Sequence, residues 1–402
     1  MSGSSANQEI LYLSYDGLTD SLGQSQILPY LVGLADEGFF ITVITFEKPE
    51  VFEKLQIDIE KICRDHKLKW EPLKYHKSPP ILSTLYDLLI LRRVVKKLFV
   101  TKKFDIIHCR SYLTSLTGLW AKRKFDVKFI FDMRGFWADE RIDGGIWNLK
   151  NPLFRLIYKF FKEKEKQFIR TADHIISLTE NARIEIQSWH IAQTPISVIP
   201  TCVDMDLFDP EKTAEETAIV RKNLALSEEN FILAYLGSWG SWYMTNEILE
   251  FFSVLASKMP KSRLLILTGD KPDLTKYEHA SRVIIRKVMR KEVPIFLGLA
   301  NATICFIKPA FSKKASSATK IPEAWAMNLQ VVTNPGWGDI ERLSASGMPV
   351  IMCDSKSEYE KIASFLGNIE VKNRREMLVG VFDLQSGIHK YKGVYQSLII
   401  RE

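Results

Sequence analysis

The amino-acid sequence predicts an α/β protein that contains two doubly wound, Rossmann-like domains. Three observations predict this fold class: short apolar runs rich in β-branched residues recur along the chain, helical patterns separate most of them, and the series pauses once near residue 200. Unbroken apolar runs are typical of strands buried on both faces, and helical connections between them indicate βαβ units. A chain of 402 residues also fits two domains of average size better than one core.

The first half of the chain has six predicted strands. A helical pattern at 25–38 follows the first of them and ends at Gly38, a residue type that is common just past helix ends. The predicted strands span residues 10–15, 39–46, 105–109, 128–132, 174–178 and 196–200. The Ser-rich residues 1–8 before them are predicted to be a disordered tail.

The second half resumes the pattern after a polar stretch at 200–216 that has two prolines and no clear period. We therefore predict one domain over 9–200 and a second that begins at 201; a single large sheet is the alternative. The predicted strands of the second half span 231–237, 263–269, 283–286, 302–307, 329–334 and 349–353. Ligands of open parallel sheets bind beyond the carboxyl ends of the strands, so two such domains facing a cleft would place the chemistry in those loops.

Composition and charge narrow the class of protein. A hydrophobic fraction of 46% indicates a packed globular chain, and the net charge of +7 suits nucleotides, phosphates or anionic membranes but is too small to require nucleic acid. The five cysteines are scattered without a CxxC pair, which indicates free thiols in a reducing cytoplasm. No signal peptide and no apolar run of about eighteen residues is present, so we expect a cytoplasmic protein.

The stretch "SSATKIPEAWAMNLQ" at 316–330 predicts a phosphate site. Ser316, Ser317 and Thr319 precede a predicted helix and could cap its amides, and Lys320 adds a cation where it opposes the helix dipole. Glu323, about one turn later, could accept two hydrogen bonds from the vicinal hydroxyls of a ribose. The alternatives are a solvated lysine beside ordinary capping residues and a helix-capping glutamate or Lys–Glu pair.

Other polar residues follow predicted strands of the second domain. Lys308 ends a strand at the edge of the expected cleft, whereas Lys313 and Lys314 are interpreted as a solvated pair. Ser238 lies in the glycine-bearing loop after the first strand of this domain. Recognition of the nucleotide base is expected near residues 283–294.

The first domain has its own candidate loops. Gly23 lies in a glycine-bearing loop that contains neither GxGxxG nor a P-loop sequence. The loop at 131–147 combines Asp132 and Arg134 with two tryptophans, as is typical of sugar sites, and a surface loop with local ion pairs is the alternative. His108 ends a strand and is either a base or sugar ligand, or a structural histidine.

Six of these segments, in this order, resemble the GT-B glycosyltransferases of family 4, the glycosyl transferases group 1. They are "GLTDSLGQSQILPYL", "DIIHCRSY", "FDMRGFWADER", "ADHIISLTE", "VIPTCVDMDLF" and "SSATKIPEAWAMNLQVVTNPGWGD". The final "GIHKYKGVYQSL" is similar to the closing helix of that family. The resemblance implies a nucleotide-sugar domain over 201–380 and a C-terminal helix over 381–402 that returns to the acceptor domain at 9–200.

The resemblance also implies a retaining transfer of a sugar from a nucleotide-sugar donor. Glu323 matches the second glutamate of the family's E-x7-E motif, while Ala315 stands where the first glutamate would fall. Lys320, with Lys308, would replace the usual diphosphate cations, which are missing near Ser238, and Arg134 stands where many members carry a histidine. The implied donor-binding residues are Gly23, Ser238, Lys308, Ser316, Ser317, Thr319, Lys320 and Glu323, and those at the reacting sugar are His108, Asp132 and Arg134.

We therefore expect a glycosyltransferase that moves a sugar, from a donor such as a UDP-linked one, to a glycan or lipid-linked acceptor. It should need no metal and no cofactor besides the donor. The alternatives are a sugar phosphorylase or nucleotide-sugar epimerase of the same fold, and a non-catalytic bilobal nucleotide- or sugar-binding protein. Basic, apolar stretches at 91–104 and 153–169 indicate peripheral contact with an anionic membrane on its cytoplasmic face, unless they are ordinary domain helices.

Overall fold

A computed structural model describes residues 8–368 and 373–399. The predicted tail lies outside the described residues except for Gln8, whose carbonyl accepts a hydrogen bond of 2.9 Å from the Phe40 amide. The chain divides into two compact units. Unit 1 comprises Met1–Pro200 with Leu384–Glu402, and unit 2 comprises Thr201–Asp383.

Unit 1 contains a seven-stranded parallel sheet of order β3-β2-β1-β4-β5-β6-β7. Its strands are β1 (Glu9–Leu13), β2 (Phe40–Glu47), β3 (Lys69–Lys74), β4 (Ile106–Arg110), β5 (Lys128–Asp132), β6 (His174–Ser177) and β7 (Ile196–Val198). The helices between them are α1 (Ser21–Gln26), α2 (Leu28–Asp36), α3 (Pro49–Asp65), α4 (Leu82–Thr101), α5 (Ser111–Phe125), α6 (Trp137–Asp143), α7 (Pro152–Thr171) and α8 (Glu180–Ser188). The strand order reverses between β1 and β4, which is where open sheets of this kind bind ligands.

Two features of unit 1 differ from the sequence prediction. Strand β3 was not predicted, because it is a sheet edge in which half of the six residues are charged. It also contains Pro72, which is tolerated only where no ladder donor is needed. The helix predicted over 25–38 is two helices that meet at Ile27. Pro29 has no amide proton and therefore cannot continue the hydrogen-bond ladder of α1.

Unit 2 contains a six-stranded parallel sheet of order β10-β9-β8-β11-β12-β13. Its strands are β8 (Ile232–Leu236), β9 (Arg263–Leu267), β10 (Val283–Arg286), β11 (Ala302–Cys305), β12 (Gln330–Thr333) and β13 (Val350–Met352). The helices are α9 (Ala214–Asn223), α10 (Thr245–Lys258), α11 (Val293–Leu297), α12 (Lys320–Ala326), α13 (Ile340–Ala345) and α14 (Tyr359–Leu366).

The sheet of unit 2 is buried on both faces. Along β8, Ile232 and Ala234 belong to one apolar cluster, whereas Leu233 and Tyr235 belong to another. Because successive side chains of a strand point to opposite faces, the two clusters cover the two faces of the sheet. This explains why the strands of this unit read as unbroken apolar runs in the sequence.

The final helix, α15 (Leu384–Ile399), belongs to unit 1. It begins three residues later than the predicted 381–402 segment, whose last residues lie outside the described range. Tyr391 and Tyr395 of this helix are buried in unit 1. All five cysteines are buried, and none of them forms a disulfide bond. Within the described parts of the chain, no helix combines the length and apolarity that crossing a bilayer requires.

Candidate functional site

Lys320 is a buried cation of unit 2 without a hydrogen-bond partner. It begins α12, its side chain is buried, and its Nζ atom bonds to no acceptor. The ammonium lies 3.6 Å from the ring centroid of Tyr243 and 4.9 Å from that of Tyr235. Cation–π attraction contributes about 2 kcal/mol when the cation is desolvated, whereas burial of an unpaired ion costs several kcal/mol. The two aromatic rings therefore offset only part of the cost, and an anionic ligand would offset the rest.

The loop after β8 is shaped around this ammonium. Gly237 has a φ of +123°, which favours glycine, and a Cβ at this position would lie 2.7 Å from the Lys320 Nζ atom. The backbone conformation therefore favours glycine at this position, and its missing side chain leaves room for the lysine ammonium. Neighbouring Ser238 is exposed, and its carbonyl oxygen accepts a hydrogen bond from the Tyr235 hydroxyl.

The hydroxyls predicted to cap α12 do not do so. Thr319 occupies the N-cap with helical backbone angles and makes no side-chain cap bond, because a capping side chain needs an extended backbone at that residue. The Ser317 hydroxyl instead accepts a hydrogen bond of 3.1 Å from the Thr201 amide, and it forms another of 2.9 Å with the Thr201 hydroxyl. Ser316 and Thr319 are half-buried next to Lys320. The capping role was wrong, although the hydroxyls do cluster at the start of the helix.

Glu323 is buried and paired with Arg290 rather than with Lys320. Arg290 lies in a 3-10 helix after β10, and its guanidinium stacks on Phe208 with 4.8 Å between its carbon and the ring centroid. Burial raises the pKa of the Glu323 carboxyl, and Arg290 and Lys320 oppose this rise. The sequence analysis missed Arg290 as a partner, although it expected ligand contacts in the stretch at 283–294.

The other lysines of unit 2 divide into exposed and buried ones. Lys308 and Lys314 are exposed. Lys313 is buried, with its ammonium 3.7 Å from the ring centroid of Trp242, so its interpretation as one of a solvated pair was wrong. The sequence gave no signal of this contact, because Trp242 and Lys313 are 71 positions apart.

In unit 1, Gly23 packs against its own loop. A Cβ at Gly23 would overlap the carbonyl oxygen of Gly17 and the backbone of Leu18. Glu47 holds the same loop from β2, since its carboxylate accepts hydrogen bonds of 2.7 Å and 3.1 Å from the amides of Leu18 and Thr19. Packing within the loop explains why this position is a glycine.

His108 and Asp132 are fully buried on neighbouring strands, β4 and β5. The imidazole Nδ1 lies 2.8 Å from the Tyr395 hydroxyl, and Nε2 lies 3.4 Å from Asp132 Oδ2. Burial lowers the pKa of His108 despite the nearby carboxylate, so the ring is neutral. With both nitrogens engaged inside the unit, the geometry favours the structural alternative for His108 and not a base that touches substrate.

Arg134 follows β5 with a φ of +55°, an unfavourable conformation for a side chain of this size. Its Nη1 lies 3.7 Å from Asp132 Oδ1 and 3.5 Å from the Tyr391 hydroxyl. Burial alone would lower the pKa of Arg134 and raise that of Asp132, but their mutual attraction outweighs burial and moves both in the opposite directions. The pair is therefore ionised, and Asp132 positions Arg134.

Arg110, which the sequence analysis did not single out, lies beside this pair. It is the last residue of β4, its side chain is buried, and its Nε and Nη1 atoms have no hydrogen-bond partner. Its Nε lies 3.5 Å from Asp16 Oδ2, a half-exposed carboxylate. A signal was available in the sequence, because His108 and Arg110 are two residues apart and side chains at that spacing share one face of a strand.

Comparison with known proteins found one family model and several solved structures that are similar to this chain. Residues 30–207 match the family model described as Glycosyltransferase Family 4. No curated protein sequence matches the chain. Similar solved structures include a sucrose-phosphate synthase from Thermosynechococcus elongatus, with a TM-score of 0.70, 14% identity and coverage of 98% of this chain and 100% of that one.

Two further structures have the same architecture. A glycosyltransferase from Rickettsia africae ESF-5 gives a TM-score of 0.69 at 14% identity over 98% of this chain and 100% of its own. The Anabaena protein HepE, in complex with UDP and glucose, gives a TM-score of 0.68 at 13% identity over 97% of this chain and 100% of its own. At these identities the likeness establishes the fold, and it confirms the GT-B architecture predicted from the sequence.

Proposed function

We propose that this chain, a glycosyltransferase with a Glycosyltransferase Family 4 domain over residues 30–207, moves a sugar from a nucleoside-diphosphate sugar held by unit 2 to a glycan or lipid-linked acceptor held by unit 1. The buried, unpaired ammonium of Lys320 carries the proposal. A diphosphate supplies the anion that this cation lacks. Because HepE, which shares the fold, binds UDP, we propose a UDP-linked donor.

The chemistry needs stabilisation of the departing nucleoside diphosphate. Negative charge develops on it as the glycosidic bond breaks, and a cation already in place stabilises that charge without reorganisation. Lys320 has this role in the proposal, with exposed Lys308 as a second cation at the same edge. The Glu323 carboxylate accepts hydrogen bonds from the two ribose hydroxyls, and Arg290 fixes the orientation of this carboxylate.

We also propose that the transfer retains the anomeric configuration and needs no metal. In this mechanism the acceptor attacks from the face that the diphosphate leaves, and the diphosphate takes the acceptor proton. Turnover should persist in EDTA, and NMR of the product should show the anomeric configuration of the donor. Loss of turnover that only magnesium or manganese restores, or an inverted product, would overturn these two points. Epimerisation without acceptor, or transfer only to phosphate, would favour the alternative enzymes.

The decisive experiment compares Lys320→Ala with Lys361→Ala, an exposed lysine of α14 in the same unit. A charge-assisted hydrogen bond contributes about 1.5–3 kcal/mol, so Lys320→Ala should weaken UDP roughly ten- to a hundredfold. Uridine, which has no phosphate, should bind as it does to the wild type. The kcat should also fall, since the leaving diphosphate gains charge in the transition state.

The control Lys361→Ala should change neither affinity nor kcat. A second variant, Lys320→Met, tests the energetic argument: it removes an unpaired buried charge, so the unliganded protein should unfold at a higher temperature while UDP affinity falls. If uridine and UDP weaken equally, or if kcat is unchanged, the phosphate role of Lys320 is wrong.

We further propose that unit 1 contacts an anionic membrane. Exposed apolar side chains lie on α4 and α7: Leu82, Leu85, Leu89, Leu153, Leu156 and Phe160. Exposed basic residues accompany them: Arg92, Arg93, Lys96, Lys97, Arg155 and Lys159. Helices that expose both apolar and cationic side chains suit the interface of an anionic bilayer, where a lipid-linked acceptor is available.

A further inference from the structure

The carboxyl edge of the unit 1 sheet contains a second buried cation that lacks partners. Arg110 has 4% of its surface exposed, and its Nε and Nη1 atoms make no hydrogen bond. Its ion-pair partner, Asp16 Oδ2, lies 3.5 Å from Nε, and this carboxylate is 44% exposed. Water screens such a carboxylate, so it compensates the buried guanidinium only weakly. A buried guanidinium has five N–H donors to satisfy, and here three of them, one on Nε and two on Nη1, have no acceptor.

The neighbouring charges do not complete this compensation. Arg134 supplies a second guanidinium in the loop after β5. Asp132, the fully buried carboxylate beside it, forms an ion pair with Arg134 and also contacts His108 and Tyr391. His108 is neutral. Two buried or nearly buried guanidinium groups therefore face a single buried carboxylate, which leaves an excess of positive charge.

The backbone next to Arg110 favours an anion as well. Helix α5 begins directly after it and runs for 15 residues, with no side-chain cap and no acidic residue in its first turn. The amide groups of an uncapped helix start carry a partial positive charge that attracts anions. Ser111, the first residue of α5, has a φ of +68°, and such strained positions cluster at ligand sites.

We propose that Arg110 and Arg134 form a second anion-binding site, which receives a phosphate or carboxylate group of the acceptor. The assignment to the acceptor rests on the proposed function, in which unit 2 holds the donor diphosphate. A planar guanidinium binds either oxyanion through paired hydrogen bonds. The acceptor is accordingly an anionic glycan or a phosphate-bearing lipid-linked sugar, and not a neutral saccharide.

The first test measures binding of inorganic phosphate to the full-length protein saturated with UDP, by ³¹P NMR titration. Phosphate should bind the wild type and Arg123→Gln, which removes the same charge from the exposed last turn of α5. It should bind Arg110→Gln and Arg134→Gln at least tenfold more weakly. The phosphate affinity of Arg110→Lys should lie between those of the wild type and Arg110→Gln, since lysine keeps the charge and loses the paired donors. Equal phosphate affinity in Arg110→Gln and the wild type would overturn the site.

Two further measurements separate this proposal from its rivals. Lys320→Ala should lose UDP affinity and still bind phosphate. An unaltered UDP affinity of Lys320→Ala would contradict the proposed function, and a retained phosphate affinity of Arg110→Gln would contradict the second anion-binding site. The oxyanion could instead belong to the donor sugar. If Arg110→Gln weakens UDP-glucuronate but not UDP-glucose, and phosphate does not bind beside UDP, the assignment to the acceptor is wrong.

A structural role for Arg110 predicts a different result. Removal of a structural ion pair would lower the unfolding temperature, whereas Arg110→Gln removes a poorly compensated buried charge and should leave that temperature unchanged or raise it. A normal unfolding temperature together with lost phosphate binding supports the site. A lowered temperature with unchanged phosphate binding would show that Arg110 serves the fold alone.

Discussion

At the scale of single residues, the two units share one feature: each buries a cation at the edge of its sheet without giving it a full set of partners. Lys320 has two aromatic rings and no hydrogen-bond acceptor. The Nε and Nη1 atoms of Arg110 have no hydrogen-bond acceptor, and the carboxylate nearest to Nε is half-exposed. Folding alone does not favour such residues, since apolar side chains of similar volume would be at least as stable. Their cost is explained if the bound state supplies the missing anions.

Glu323 gives a prediction about pH. Because burial raises the pKa of its carboxyl, it takes up a proton at a higher pH than an ordinary glutamate. Uridine affinity should therefore fall as the pH drops from about 8 toward 5, while the same protonation stabilises the folded state, since the native carboxyl binds its proton more tightly than the unfolded one. Glu323→Gln should weaken uridine roughly ten- to a hundredfold at neutral pH, mainly as a rise in donor KM.

Isothermal titration with uridine across this pH range measures the effect. A nucleoside is the right probe, because phosphate groups themselves titrate near pH 6. The affinity of Glu323→Gln should not vary with pH, and an exposed control on α14, Glu360→Gln, should follow the wild type. Wild-type affinity that is as flat as that of Glu323→Gln would exclude an ionised Glu323 from the ribose site.

At the scale of elements, the last helix closes the first unit. Helix α15 packs on α2, and Gly33 of α2 meets Ile388 so closely that a Cβ there would overlap the isoleucine side chain. The same helix brings Tyr391 and Tyr395 to Asp132 and His108. The helix that is last in the sequence thus packs on β4, which ends at Arg110, and on β5, which precedes Arg134.

A matched pair of glycine substitutions tests this packing. Gly33→Ala should destabilise the protein by about 1–3 kcal/mol through overpacking against Ile388. Gly393→Ala, in α15, meets open space and should stabilise it by about 0.5–1 kcal/mol through helix propensity. Chemical denaturation measures both. Similar effects of the two variants would mean that α15 does not pack on α2 through Gly33.

At the scale of the whole molecule, the net charge of +7 and the apolar surface of α4 and α7 give the membrane proposal its test. Leu85→Glu and Leu156→Glu place charge on that surface, and each should weaken binding to anionic vesicles about tenfold or more, since a buried leucine contributes about 1.5–3 kcal/mol. The control is Ile219→Glu, an equally exposed apolar residue of α9 in unit 2.

Co-sedimentation with vesicles of anionic or neutral lipid, at low and high salt, reads out the binding. The wild type and Ile219→Glu should bind anionic vesicles at low salt and release them as salt screens the basic residues. Binding of the wild type to neither kind of vesicle would refute the proposal. Equal losses in Ile219→Glu and Leu156→Glu would move the contact away from α4 and α7.

The sequence by itself determined the fold class and most of the strands. Strands buried on both faces must be apolar along their whole length, so their positions can be read without knowledge of the fold, and those at 128–132 and 283–286 have the predicted bounds. The start of α12 near Thr319 or Lys320 was also readable, because serine and threonine residues precede an apolar helical run there. The edge strand β3 could not be predicted from the sequence, since an edge strand needs no apolar pattern.

Only the tertiary structure decided which charges have partners. Arg290 and Glu323 are 33 positions apart, and Arg110 becomes notable only when its buried Nε and Nη1 atoms are seen to lack acceptors. The same holds for His108, which the structure encloses between Asp132 and Tyr395, and for Lys313 on Trp242. The physical reason is that desolvation and pairing depend on distances between residues remote in sequence, whereas periodicity records only which face of its own element a residue occupies.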